Sequence, residues 1–121
     1  MRTLDIILGW LLIAFGLLHI SLTRSVHPNI DIDAVWFAGS GLLMIAIGAL
    51  NLLRVAYSSV AKGVYVVSVI ANIVLLLLLL FIATLIPMRS NPQVLVGLIL
   101  AALLTAFSVL RRAGRRPMAL S

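Results

Sequence analysis

The stretch Gly63–Ile86, GVYVVSVIANIVLLLLLLFIATLI, contains no charged residue and decides the fold. A helix needs about 20 mainly apolar residues to cross a hydrocarbon core roughly 30 Å thick, and this stretch is long enough. Six of its leucines, the unbroken run Leu75 to Leu80, cover every side of such a helix, so part of that surface faces lipid. Three further apolar blocks flank it, at about Leu4–Leu22, Ala34–Leu53 and Val94–Leu110, with short polar breaks between them. The pattern predicts an all-α fold: an integral membrane four-helix bundle of up-down topology. Residues 1–121 then form a single four-span membrane domain, with spans at about 4–22, 34–53, 63–86 and 94–110 and a basic tail over 111–121.

Composition agrees with the pattern. Of 121 residues, 64% are hydrophobic and 10% charged, against about 25% charged in an average soluble domain. A chain this short has a high surface-to-volume ratio and would need a polar skin to be soluble. Twelve charged residues cannot supply one, which excludes an ordinary soluble domain, a disordered chain and a nucleic-acid-binding module. There is no cysteine, so thiol–disulfide chemistry, iron–sulfur clusters and cysteine–zinc sites are excluded as well.

The net charge of +6, from nine Lys and Arg against three Asp, sorts by side. Arg2, Arg54, Lys62, Arg111, Arg112, Arg115 and Arg116 fall on the side of the termini, and only Arg24 and Arg89 on the other. The positive-inside rule predicts a multi-pass membrane protein with both termini cytoplasmic. The loop Thr23–Asp33 and the turn Pro87–Pro92 would lie outside. Leu4–Leu22 is longer than a signal-peptide core and lacks a small-x-small cleavage site near Ser21–Arg24, so it reads as a retained span. The arginines of the tail set topology and attract anionic headgroups by about 1 kcal/mol per charge.

Gly9–Ile20, GWLLIAFGLLHI, and Gly41–Leu52, GLLMIAIGALNL, agree at six of twelve positions with a period of 32 residues. His19 and Asn51 hold equivalent places in the two copies. Running antiparallel, the copies would resemble the inverted repeats of small transporters. Gly9, Gly16 and His19 share one helical face, and Gly41, Gly48 and Asn51 another. Small residues let helix backbones approach where lipid removes the usual hydrophobic drive, so these faces predict helix–helix packing.

The same residues carry a resemblance. A glycine, a second glycine seven later and a polar residue three beyond it, as in Gly9, Gly16 and His19, resemble the DoxX-like group of small four-helix bacterial membrane proteins. Gly41–Gly48 is similar to the glycine-rich second span of that group, and the likeness covers the first two spans. His19 stands where Lys is common, and Trp36 and Phe37 occupy the region where that pattern has a Glu before Gly41. The resemblance implies a four-helix bundle of the bacterial inner (cytoplasmic) membrane. The charged pair that accompanies the redox-complex role within the group is not kept.

His19, near the outer end of the first span, is the one histidine at membrane depth, and such a group marks a candidate functional site. It could bridge spans by a hydrogen bond, handle a proton or orient a ligand. Haem or metal binding would need a second in-span ligand, and His27 falls in the outer loop, so no cofactor is expected. Trp36 is either an interfacial anchor or the wall of an outward pocket with His19 and Ser40, with Asp33 at its mouth. Asp33 also suits the N-cap of the second helix. Asn72 lies some ten residues into the third span and must face another helix; Asn51, Thr84, Thr105 and Ser108 could form similar cross-links.

No nucleophile–base pair, paired carboxylates, phosphate loop or metal-ligand spacing is present, so no catalytic residue is assigned. The expectation is a non-enzymatic accessory or packing subunit, working as a homo-oligomer or within a larger membrane complex, with the lipid bilayer and no nucleic acid as partner. The alternative is a small transporter or binder of a hydrophobic molecule using the pocket near His19. A third reading, by resemblance alone, is a quinone-linked or electron-transfer complex subunit.

Overall fold

The computed structural model describes residues 2–113. Four long helices, α1 (Arg2–Ser21), α3 (Ile32–Tyr57), α4 (Lys62–Leu85) and α5 (Pro92–Ala113), are joined by a one-turn α2 (Thr23–Val26) and a 3₁₀ turn over Met88–Ser90. No strand occurs among the described residues. Each long helix is long and apolar enough to cross a membrane. Arg111 and Arg112 fall in the last turn of α5; Arg115 and Arg116 lie outside the described residues.

Local chemistry sets the helix ends. Asp31 caps α3, its carboxylate accepting from the Ala34 N–H at 2.9 Å. The cap is therefore Asp31 and not Asp33, because α3 begins at Ile32 and only the residue before it can reach back to an unpaired amide of the first turn. Asp33 sits inside that turn, near the positive end of the helix dipole. At its other end α3 runs past Leu53 to Tyr57 and includes Arg54. Pro87 has extended backbone just beyond α4, and Pro92 occupies the first position of α5, where a missing N–H costs nothing.

Around the bundle the order is α1, α3, α4, α5, with the tightest pairings within the hairpins α1–α3 and α4–α5. The α1–α3 seam is made by the four glycines. Gly16 lies against Gly41, and Gly9 against Gly48, in one antiparallel register. A Cβ on Gly16 would stand 2.6 Å from the Gly41 carbonyl oxygen, and one on Gly48 2.8 Å from the Gly9 oxygen. The two repeat copies thus face each other head to tail. Leu8, Leu12, Met44, Ile47, Leu75, Leu79, Leu100, Ala101 and Leu104 form the core between the hairpins. The periphery exposes large apolar side chains on every long helix, among them Trp10, Leu42, Leu77, Phe81 and Ile99. So much contiguous apolar surface suits lipid rather than water.

Candidate ligand pocket

At the end of the bundle remote from the termini, the hairpins part around a cavity of about 280 Å³. That is close to the lower limit of ordinary small-molecule sites, about 300–1,000 Å³. Phe15 and His19 of α1, Phe37, Ser40, Leu43 and Met44 of α3, and Leu75, Leu78, Leu79 and Ile82 of α4 form its walls. His27, Asn91 and Gln93 add polar groups at the level of the connections. No Asp, Glu, Lys or Arg contributes to the lining.

The polar centre of this cavity is a pair supplied by the two helices of the glycine seam. His19 Nε2 lies 3.0 Å from Ser40 Oγ, and the Ser40 hydroxyl donates to the Phe37 carbonyl at 2.7 Å. A hydroxyl has one proton to give. With that proton given to Phe37, Ser40 accepts from His19; in a neutral imidazole this puts the ring proton on Nε2 and leaves Nδ1 as an acceptor. The ring is held by stacking on Phe37, with centroids 3.8 Å apart and planes 18° from parallel. His27 tilts against the same phenyl ring at 5.3 Å, and Phe15 stands 6.4 Å from His19.

Of the four residues assigned to the pocket from sequence, His19 and Ser40 meet in it, whereas Trp36 and Asp33 do not line it. Trp36 is 73% exposed. Successive residues of a helix are turned by about 100°, so seating Phe37 against His19 directs Trp36 outward. Phe15 and Phe37 were missed, although their spacing could have shown them: Phe15 lies four residues before His19, and Phe37 three before Ser40, each on its partner's face. Nothing in the chain marks the contributions of His27, Asn91 and Gln93.

A second polar cluster lies at the opposite end. Arg54 is not a loop charge: it is 1% exposed, and its Nη2 pairs with Asp5 Oδ1 at 2.8 Å. The same nitrogen reaches Asn51 Oδ1 at 3.3 Å. Asn51 and Asn72 bond reciprocally at 2.7 and 2.9 Å, and Asn72 Nδ2 also contacts the Leu104 carbonyl at 3.5 Å. Ser68 donates to the Leu50 carbonyl, and Tyr65 to that of Ser108. One hydrogen-bonded chain thus joins all four long helices. Thr105 and Ser108 bond to carbonyls of their own helix, and Thr84 does likewise in α4.

Between the two polar clusters lies the apolar core, in which Leu12, Ala101 and Leu104 have no exposure. Among the described residues, no three His, Cys, Asp or Glu side chains gather as a metal site. Four helices of this length and apolarity suit a membrane protein. Comparison with family models, curated proteins and solved structures gives no match.

Proposed function

We propose that this chain is a non-enzymatic membrane protein that binds a small, mainly apolar molecule in the pocket between its hairpins. One observation carries the reading: an apolar cavity with a single oriented His–Ser pair, closed toward the other end by tightly packed leucines. Apolar walls with a few placed polar groups are the usual make-up of a ligand site. The same plug favours a binder over a carrier, since passage would require the core to separate. The charge distribution supports both termini cytoplasmic and the pocket opening outward, and the resemblance to the DoxX-like group supports a bacterial inner membrane. With Arg54 inside the bundle, six basic residues remain on the terminal side against Arg24 and Arg89. Relatedness to the DoxX-like group rests on the glycine seam and belongs to the same proposal. Service as an accessory subunit is compatible with it, the bound molecule then being shared with a partner.

Native mass spectrometry of the full chain from a mild detergent tests this. Wild-type protein is expected to retain one small apolar molecule, and Ile82→Trp, which fills the cavity from α4, to lose it while keeping its helicity. Failure to retain any such molecule, or equal retention by Ile82→Trp, would overturn the reading.

A further inference from the structure

From the hydrogen-bond polarity of the His19–Ser40 pair we infer the chemical class of the ligand: an uncharged amphiphile whose head is a hydrogen-bond donor, such as an alcohol. The inference rests on the pocket being a binding site. With no Asp, Glu, Lys or Arg in the lining, a charged head would enter a low-dielectric site without an acidic or basic side chain to pair with, at a large desolvation cost. The direction of the head's hydrogen bond follows from proton counting. The one Ser40 proton goes to the Phe37 carbonyl and the His19 Nε2 proton goes to Ser40. The neutral ring then presents only a lone pair, at Nδ1, which has no hydrogen-bond partner among the described residues. The pair can accept and has no proton to spare.

Asn91 does not change this balance, because its amide already donates to the Pro87 carbonyl and the Ser90 hydroxyl. At the His19–Ser40 pair, a head with only acceptors, such as an ether, ester or ketone, would face the Nδ1 lone pair with its own; His27 and Gln93 also line the cavity, but at the level of the connections, away from the pair. A hydroxyl or N–H head satisfies it, with the apolar remainder lying against Met44, Leu75 and Leu79 toward the middle of the bundle. The cavity volume limits that remainder to a short chain or a small ring system.

Isomeric probes separate head-group polarity from bulk. Full-length protein in lipid nanodiscs is exposed to 1-nonanol, methyl octyl ether, nonanoate, nonylammonium and nonane, and retention is read by native mass spectrometry. The alcohol is expected to exceed its isomeric ether by about tenfold, the span of one well-made hydrogen bond, with both ions retained least. His19→Phe keeps the stacked ring and should bring the alcohol-to-ether ratio near one. Ser40→Ala, which frees the imidazole to take either tautomer, should lower the ratio and serves if His19→Phe does not fold. Equal retention of alcohol and ether by the wild type, or tighter retention of either ion, overturns the donor assignment while leaving binding intact. Retention of no probe at all overturns the binding site itself and this inference with it.

Discussion

Arg54 Nη2 of α3 rests 2.8 Å from Asp5 Oδ1 of α1, with both side chains shut away from the surface. The two residues are 49 positions apart in the chain and close the antiparallel hairpin at its terminal end. Removing one member of such a pair leaves the other charge buried without compensation, a loss of about 3–5 kcal/mol. Asp5→Ala should therefore unfold much more readily than wild type in a denaturation series in detergent. The double variant Asp5→Leu with Arg54→Met should recover most of that loss, since an apolar pair of similar volume avoids both desolvation terms. An additive double-mutant cycle would show that the pair is not coupled.

The glycine seam makes a sharper contrast, because the chain contains its own control. Gly16→Ala drives a methyl against the Gly41 carbonyl, whereas a Cβ at Gly39 meets nothing within 4 Å. Gly16→Ala should destabilise the bundle by about 1–3 kcal/mol, the usual cost of overpacking. Gly39→Ala should be neutral or stabilising by up to about 1 kcal/mol through helix propensity. Both are read from the unfolding midpoint under identical detergent conditions.

The tautomer of His19 is directly observable. Nitrogen-15 NMR of selectively labelled protein should place the proton on Nε2 in the neutral ring and show Nδ1 bare. Ser40→Ala should abolish that preference. A proton found on Nδ1 in the wild type would contradict the hydrogen-bond directions derived above.

Orientation can be read by thiol labelling, since the native chain has no cysteine to interfere. Ser90→Cys lies in the turn before α5, and Val60→Cys lies between α3 and α4, where Val60 is 86% exposed. A membrane-impermeant maleimide should reach Ser90→Cys on intact cells and Val60→Cys only after permeabilisation. The reverse pattern would invert the topology.

The long helices were legible because uninterrupted apolar runs admit few other structures, and the α1–α3 seam because glycines seven apart fall on one helical face. Folding one hairpin sets Trp36 at about the depth of His19, with Ser40 one turn deeper, which is enough to bring His19 and Ser40 into one site. Arg54 could not be placed this way. A charge at the edge of an apolar block looks like a boundary, and the carboxylate that allows it inside is remote in sequence. The error at Asp33 was one of register, since two aspartates two residues apart suit an N-cap equally until the first helical residue is known. The α4 and α5 walls of the pocket carried no signal, because every face of Leu75–Leu80 is equally apolar and only packing selects which leucines turn inward.

The Asp5–Arg54 pair also bears on how the chain is made. If the helices enter a bilayer in order of synthesis, α1 emerges first, with a carboxylate whose partner is not yet translated. Either residue alone is costly at membrane depth, by about 2.5–3.5 kcal/mol at the centre of a helix and less toward its ends. The cost falls when α3 arrives and the glycine faces close, bringing Arg54 onto Asp5. The smallest unit that can settle in the bilayer with its charges matched is therefore the hairpin, residues 2–57, and not the single helix.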